Sequence, residues 1–171
     1  MEIAEPDGRW PALYAAEGAR LRAAFGPALR AVEHVGSTAV PGLAAKPVLD
    51  VMAAVDRLAD VDLRALAALG YALAPTGMKG RLFLQRASEP AVNLHVVALD
   101  TWPARKERRF RDRLRARPDE AAAYGALKRD LAGRFGDDMD AYSRAKTGLI
   151  QAIMDRWADE EGRPREGVWE P

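Results

Sequence analysis

The sequence contains no cysteine, and this absence removes several kinds of chemistry at once. A chain without thiols forms no disulfide, no thiolate metal site and no cysteine nucleophile. The sequence also has no apolar run near the length of about 18 residues that a membrane-spanning helix requires, and no basic and apolar signal segment follows Met1. These absences predict a cytoplasmic protein with no membrane partner.

An excess of positive charge is also lacking. The chain has 26 lysines and arginines against 25 aspartates and glutamates, a net charge of +1, whereas proteins that bind the nucleic-acid backbone concentrate positive charge. The composition therefore gives no strong sign of a nucleic-acid partner. One stretch, residues 105–117, is strongly basic. We interpret it as the solvated face of a helix, and the alternative is a surface for an anionic ligand.

The chain has enough apolar residues for one domain. Its 171 residues are 49% hydrophobic, which suffices for a single core. We predict that residues 1–158 form one domain and that residues 159–171, which lack hydrophobic periodicity, form a flexible tail. The sequence has no repeat, Walker loop, zinc-spaced cluster or Gly-x-Ser-x-Gly elbow, so other common phosphate and hydrolase chemistries lack support.

Hydrophobic periodicity predicts an α+β fold. Alternating or continuous apolar runs predict five strands, at residues 29–35, 48–55, 71–74, 81–86 and 92–97. Apolar positions three or four apart, with proline and glycine near the ends, predict helices at residues 10–25, 58–69, 103–116, 118–135 and 137–157. We expect a mixed sheet of about five strands, with the N-terminal helix and three C-terminal helices packed around one face or end of it.

A turn between the first two predicted strands is the most informative part of the chain. The first strand enters Gly36-Ser37, and the second carries one carboxylate, Asp50, in an otherwise apolar run. Because burying an unpaired charge costs several kcal/mol, Asp50 needs a partner, a proton, a bound metal or a position near solvent. Glycine at the turn lets the backbone approach a phosphate, which the Ser37 hydroxyl would help to hold. The alternative is an ordinary turn in which Ser37 or Thr38 caps a short helix.

The same stretch resembles a known family. The sequence His-Val-Gly-Ser-Thr-Ala-Val-Pro-Gly-Leu-Ala-Ala-Lys-Pro, with Leu-His-Val-Val at residues 94–97 and the segment from Tyr142 to Lys146, resembles the GrpB-like family over about residues 10–157. A Gly-Ser pair followed by an aspartate in an apolar strand is similar to the signature of the nucleotidyltransferase superfamily. This resemblance implies a nucleotidyltransferase fold, a turn that holds the phosphates of a nucleoside triphosphate, and carboxylates that hold a divalent metal, Mg²⁺ or Mn²⁺.

The resemblance also gives roles to individual residues. It implies that the turn at residues 36–38, with Lys46, holds phosphates and that Asp50 holds the metal. In the superfamily a second carboxylate stands two residues after the first, but this chain has Met52 there, and a thioether is a poor ligand for a hard cation. Asp50 therefore acts with ligands from elsewhere, or it is structural and pairs with Lys46 or a C-terminal lysine.

Both histidines of the chain lie in predicted strands near this turn. By chain order, His95 takes the place of the third carboxylate of the superfamily. A cluster of His34, Asp50 and His95 would suit a transition metal, or a general base beside a phosphate site. The alternative is that each histidine is a buried hydrogen-bonding residue. Strand alternation puts Glu33 on the face opposite His34, which makes it the weaker candidate.

Two tyrosine and lysine pairs lie four residues apart in predicted helices: Tyr124 with Lys128, and Tyr142 with Lys146. In the functional interpretation, a ring supports a base while the lysine neutralises phosphate charge. In the structural interpretation, each lysine stem packs over its tyrosine and the charge reaches water. The resemblance includes Lys146, so we expect Tyr142 to bind the nucleotide and Lys146 to act in catalysis, and we leave Lys128 open.

These observations predict a nucleotide-binding protein that transfers a nucleotidyl group to a small-molecule acceptor with a divalent metal. Asp50, His95 and Lys146 are the predicted catalytic residues, and a small phosphorylated ligand is the predicted partner. Met52 favours the alternative, a non-catalytic binding or sensor domain for a nucleotide or another phosphorylated metabolite. A third interpretation is a scaffold whose basic helix and C-terminal apolar stripe are interaction surfaces. The sequence does not specify the acceptor, the nucleotide base or the oligomeric state.

Overall fold

A computed structural model describes residues 3–136 and 138–168. Five strands form at Leu29–Val35 (β1), Val48–Val55 (β2), Ala72–Leu73 (β3), Arg81–Arg86 (β4) and Ala91–Ala98 (β5). Five α-helices form at Trp10–Phe25 (α1), Leu63–Ala68 (α2), Lys106–Ala116 (α3), Pro118–Phe135 (α4) and Met139–Glu160 (α5). None of the helices in these ranges is long and apolar enough to cross a membrane.

The strands form one mixed sheet in the order β1-β2-β5-β4-β3. β2 and β5 run parallel, and every other neighbouring pair is antiparallel. The parallel register puts Asp50 opposite Asn93 and Met52 opposite His95. The α+β prediction with a mixed sheet of five strands is therefore confirmed.

Helices cover both faces of the sheet, which corrects the expectation of packing around one face or end. The physical reason is that β2 is apolar in both directions. Leu49 and Val51 pack into a core that includes residues of α1 and α2. Met52 and Ala54 point to the other face, where they pack with Trp102 in a second cluster. Both sets are almost fully buried, so the strand needs cover on each side.

The predicted bounds hold where local signals are strong. α1 begins with proline in its first turn and ends at Gly26, which has a φ of +54°. The predicted helix at residues 58–69 is shorter than expected because Asp62 caps it, accepting hydrogen bonds from the backbone N–H groups of Arg64 and Ala65. Residues Leu58–Asp60 form a separate one-turn 3₁₀ helix. The predicted start of the last helix, Asp137, lies outside the described residues.

The basic segment at residues 105–117 is only partly the solvated helix face that we expected. Arg111 and Arg113 of α3 are buried. Arg111 Nη1 lies 2.7 Å from a carboxylate oxygen of Glu33 on β1, and Arg113 Nε lies 2.6 Å from one of Glu120 on α4. Arg113 also pairs with Glu160 on α5. These arginines therefore connect α3 to the sheet and to both other C-terminal helices.

The segment that follows α5 contacts the helices. Val168 donates its backbone N–H to Gln151 at 2.9 Å, and Lys106 Nζ donates to the carbonyl oxygen of Gly167 at 2.9 Å. α5 itself continues to Glu160, two residues past the predicted domain boundary at residue 158. The division into residues 1–158 and a flexible tail at 159–171 stays a prediction, and residues 169–171 lie outside the described part of the chain.

Candidate functional site

A cleft of about 290 Å³ lies between the sheet and the helices α4 and α5. Residues from the β1–β2 connection form one wall, the starts of β2 and β5 form the floor, and the helices form the opposite wall. The polar side chains that line it are those of Ser37, Thr38, Lys46, Asp50, Gln85, Asn93, Lys128, Tyr142 and Lys146. The cleft therefore brings together Ser37, Thr38, Lys46, Asp50, Tyr142 and Lys146, which the sequence analysis singled out.

Position 36 requires glycine because of its backbone conformation and its closeness to Asp50. Its φ is +71°, a region that residues with a side chain rarely adopt. A Cβ atom at this position would lie 2.3 Å from Oδ2 of Asp50 and 2.8 Å from its Cβ and Cγ. The turn backbone therefore packs directly against the carboxyl group.

The Asp50 side chain is held by neighbouring strands. Its Oδ1 accepts a hydrogen bond from Asn93 Nδ2 at 2.9 Å. The side-chain oxygen of Asn93, Oδ1, in turn accepts one from Gln85 Nε2 at 3.0 Å. Burial raises the pKa of Asp50, although the hydrogen bond from Asn93 and the charges of nearby lysines act in the opposite direction. The side-chain amides of Gln85 and Asn93 therefore hold Oδ1 of Asp50 in place, and Oδ2 lies next to the turn at Gly36.

Three lysines surround this single carboxylate. Lys128 is buried, donates to the carbonyl oxygen of Ala44 at 2.5 Å and lies 4.7 Å from the centre of the Tyr124 ring. Burial, together with the nearby charge of Lys146, lowers the pKa of Lys128 to about 7. Burial also lowers the pKa of Lys146, whose Nζ lies 4.2 Å from the centre of the Tyr142 ring.

The charges in the cleft do not balance. Lys46, Lys128 and Lys146 all line it, whereas Asp50 is its one carboxylate. The described residues include no salt bridge between Asp50 and any of these lysines, although all three exert an attractive effect on it. A site with more cations than anions, and with space between them, suits an anionic ligand.

Ser37 and Thr38 lie in a one-turn 3₁₀ helix at Ser37–Ala39, which has no side-chain cap. The alternative that one of them caps this turn is therefore wrong. Thr38 Oγ1 is already engaged: it donates to the carbonyl oxygen of Val48 at 3.2 Å and lies 2.9 Å from Nε2 of His34. Ser37 is engaged as well, because its side chain hydrogen-bonds that of Tyr124.

His34 does not join Asp50, which corrects the expected cluster. The antiparallel register pairs His34 with Val51, so its side chain points to the face that α1 covers. There it stacks on Tyr14 with ring centres 4.7 Å apart. Burial, together with the charges of Arg115 and Arg111, lowers the pKa of His34 to about 4. The alternative of a buried, hydrogen-bonding histidine fits these contacts.

His95 lies on the same face as Asp50 but is not part of the cleft lining. It is opposite Met52, and its Nδ1 lies 3.2 Å from Nη1 of Arg81, which also pairs with Glu107. Met52 is completely buried and is part of the core. Within residues 3–136 and 138–168, no three histidine, aspartate or glutamate side chains are grouped closely enough to hold a metal ion.

Sequence reasoning missed two polar residues of the cleft. Asn93, not His95, neighbours Asp50, and Gln85 orients Asn93. Alternation along β5 put Asn93 and His95 on one face, but nothing local showed which of them aligns with Asp50. Lys128, which we left open, belongs to the cleft.

The oxygen atoms that the cleft offers limit the kind of metal ion that it can hold. Asp50 offers one carboxylate oxygen, Oδ2, that has no hydrogen bond among the described residues. Mg²⁺ is commonly held by one or two carboxylates together with phosphate oxygens and waters. The residues therefore fit a divalent cation that a phosphorylated ligand shares, and they do not fit one held by the protein alone.

Comparison with known proteins adds a family relationship. A family model described as GrpB protein matches residues 1–156. A UPF0157 protein from Halalkalibacterium halodurans is 37% identical over 161 residues, which cover 91% of this chain and 82% of that protein. The crystal structure of conserved protein GrpB from Enterococcus faecalis is similar with a TM-score of 0.81 and 28% identity, covering 91% of this chain and 99% of that one.

One further relative is a longer protein. A dephospho-CoA kinase from Mycolicibacterium paratuberculosis is 31% identical over 204 residues. The match covers 100% of this chain but 48% of that protein. The same sequence pattern thus occurs as about half of a larger polypeptide.

Proposed function

This chain belongs to the GrpB family, and we propose that its Asp50 cleft binds the phosphate groups of a nucleotide and transfers the nucleotidyl group to a small-molecule acceptor. The observation that carries the proposal is the ring of three lysines around one carboxylate, beside a glycine turn that packs against that carboxylate. Lysine ammonium groups and backbone N–H groups are common phosphate partners in proteins.

Each part of the cleft has a role in this proposal. Lys128 and Lys146 neutralise phosphate charge, and their burial strengthens that attraction because water screens it less. The Ser37 hydroxyl and the backbone of the turn contact the same phosphates. Asp50 would hold a divalent metal, which would supply further charge neutralisation at the reacting phosphate.

The transfer step itself is a displacement at phosphorus. An acceptor oxygen forms a bond to the α-phosphorus, the bond from that phosphorus to the leaving pyrophosphate breaks, and the acceptor proton passes to solvent. Lys146 stabilises the charge that develops on the phosphate oxygens. We assign no role in this step to His95, because its ring lies against Phe83 and Arg81 outside the cleft lining.

A second candidate function is nucleotide or phosphorylated-metabolite binding without transfer. Met52 favours it, because a buried methionine stands where the superfamily has its second metal-binding carboxylate. The relative named as a dephospho-CoA kinase, in which the matching region is about half of the protein, supports a connection with phosphorylated metabolites. In this candidate the lysines and the turn keep their binding roles. Asp50 holds them in position through its charge and its contact with Gly36.

Thermal unfolding with the four ribonucleoside triphosphates, with and without Mg²⁺ or Mn²⁺, tests the binding proposal. A ligand present at about 100 times its dissociation constant adds about 2.7 kcal/mol of stability. We expect at least one triphosphate to stabilise the protein. Lys146→Met should lower the affinity for that triphosphate at least about tenfold, because a charged hydrogen bond is lost. The matched control is Lys79→Met, which removes an exposed lysine outside the cleft.

Pyrophosphate release separates the two candidates. Transfer predicts release that requires metal and is lost in Asp50→Asn, whereas binding alone predicts stabilisation with no release. If no triphosphate stabilises the wild-type protein, nucleotidyl transfer is wrong, and only the binding of another phosphorylated metabolite remains from the second candidate.

A further inference from the structure

A second cavity, larger than the cleft, lies on the other side of the β1–β2 connection. Its volume is about 640 Å³, within the range of about 300 to 1,000 Å³ that small-molecule sites occupy. The segment before α1, the first turns of α1, the end of β1, the loop at residues 39–42 and α3 form its walls. Thr38 lines both cavities, so they lie back to back. We call this cavity the His34 pocket.

The walls of the His34 pocket are held in place before any ligand binds. Ala4 and Ala45 exchange two backbone hydrogen bonds, of 2.9 and 3.0 Å, which anchor the segment that precedes α1. Arg115 Nε donates to the carbonyl oxygen of Ala39 at 2.9 Å, and Arg111 donates to that of His34 at 2.8 Å. These bonds fix α3 against the loop and β1, so the pocket is preorganised.

The hydrogen bonds of Thr38 define the tautomer of His34. Thr38 Oγ1 gives its one proton to the carbonyl oxygen of Val48, so it must accept the bond that it shares with His34 Nε2. Nε2 therefore carries the proton, and Nδ1 carries a lone pair. Nδ1 has no hydrogen-bond partner among the described residues. The pocket thus contains an acceptor for a ligand's O–H or N–H group.

Among the described charged groups around the pocket, one arginine has no carboxylate partner. Glu33 is paired with Arg108 and Arg111, and Asp7 is paired with Arg9. Arg115 is the exception: its Nε is bonded to a carbonyl oxygen, and no salt bridge joins it to any carboxylate in the described part of the chain. Its two terminal nitrogens are suited to a planar anion such as a carboxylate.

We propose that the His34 pocket binds a small aromatic carboxylic acid that also carries a hydroxyl or amino group. The carboxylate pairs with Arg115, the hydroxyl or amino group donates to Nδ1 of His34, and the ring packs among Trp10, Tyr14 and Pro41, which line the walls. The proposal does not depend on nucleotide binding in the cleft, since the two sites have only Thr38 in common.

The test uses para-hydroxybenzoate as the probe and exploits the fact that the chain has 2 histidines. Proton–nitrogen NMR of the imidazole rings reports each histidine separately. We expect para-hydroxybenzoate to shift the Nδ1 signal of His34 and to leave His95 unchanged. Benzoate lacks the donor and para-cresol lacks the charge, so each should bind about tenfold more weakly, the loss expected for one missing polar contact.

Three variants locate the binding. Arg115→Gln should weaken para-hydroxybenzoate about tenfold, because it removes an exposed cation without altering the core. Arg117→Gln, which changes a neighbouring, partly exposed arginine outside the pocket lining, should leave the affinity unchanged. Asp50→Asn should also leave it unchanged, which separates this proposal from the function of the cleft.

The proposal is wrong if millimolar para-hydroxybenzoate leaves the His34 signals unshifted, or if Arg115→Gln binds it as tightly as the wild type. Equal affinity for benzoate and para-hydroxybenzoate would overturn the assignment of Nδ1 as the acceptor. A shift of His34 that disappears in Asp50→Asn would move the binding to the cleft and overturn the proposal of a separate site.

Discussion

Two carboxyl groups on opposite faces of the sheet have very different surroundings. Glu17 of α1 is 2% exposed, accepts a hydrogen bond from the Tyr71 hydroxyl at 2.6 Å and lies 2.8 Å from Nη1 of Arg86. Arg86 is itself 4% exposed. The negative and the positive group are in direct contact, and water is excluded from both.

Asp50 differs in each of these respects. It lines a cleft, has one hydrogen bond from an uncharged amide, and is near three lysines without contacting any of them in the described structure. A carboxylate in a complete buried ion pair is structural in the sense that its removal would leave the other charge buried without a partner. One that is outnumbered by separated cations leaves room for another anion. Burial of a charge therefore does not identify a binding site, but an unmatched charge beside open space does.

The largest expected effect comes from breaking the buried ion pair of Glu17 with Arg86. Glu17→Gln should lower the free energy of unfolding by about 3 kcal/mol, because it leaves Arg86 buried without a counter-charge. Asp50→Asn should change it by less than about 1 kcal/mol, because no ion pair is lost. Urea unfolding of both variants at neutral pH measures the difference. Equal losses in the two variants would show that Asp50 is as structural as Glu17.

A smaller effect on stability is expected from the turn. Gly36→Ala and Gly42→Ala both put a side chain at a positive φ, +71° and +74°, which costs roughly 1 to 2 kcal/mol. Only Gly36→Ala also forces a methyl group against the Asp50 carboxyl, since a Cβ on Gly42 would meet nothing within 4 Å. We therefore expect Gly36→Ala to be clearly less stable in thermal unfolding and to lose binding in the cleft.

Gly42→Ala is the control that isolates the contact with Asp50 from backbone strain. If both variants lose the same stability and both retain cleft binding, the close approach of the turn to Asp50 has no functional consequence.

A third expected effect is a pH dependence that arises in the cleft. The pKa of Lys128 is about 7 in the folded protein and about 10.4 in an unfolded chain. The unfolded state therefore binds more protons between these values, and the stability of the ligand-free protein should rise from pH 7 to pH 9. The lowered pKa of Lys146 acts in the same direction. Thermal unfolding across this range measures the slope.

Lys128→Met should flatten this slope, because the variant has no ammonium group to deprotonate. Phosphate affinity should fall over the same range, since a bound anion favours the protonated lysine. An identical slope in wild type and Lys128→Met would contradict the assignment of this pH dependence to the cleft.

Local sequence signals determined most elements of the fold. Proline in the first turn and glycine at the end indicated the bounds of α1, and apolar runs bordered by glycine, proline or charged residues indicated those of β1 and β4. The parallel pairing of β2 with β5 had no local signal, because it joins strands far apart in the chain. The covering of both faces follows from the apolar character of β2 in both directions, which we had not used.

The site was predictable where one turn or one helix face defines it. Gly36 with Asp50, and Tyr142 with Lys146, were found from spacing and from the family resemblance. The error over His34 arose because its face relative to Asp50 depends on the register across β1 and β2. The loop between these strands sets that register, and its conformation could not be derived from the sequence.

The order of the elements along the chain has a consequence for synthesis. The last strand ends at Ala98, whereas Lys128, Tyr142 and Lys146 lie on the helices that follow it. At a synthesis rate of about 5 to 20 residues per second, these helices leave the ribosome several seconds after the sheet has been made. A nascent chain therefore carries Asp50, the glycine turn and Lys46 before it carries the other two cations, Lys128 and Lys146. We expect a ribosome-bound intermediate that has the sheet but a lower affinity for anions than the complete chain.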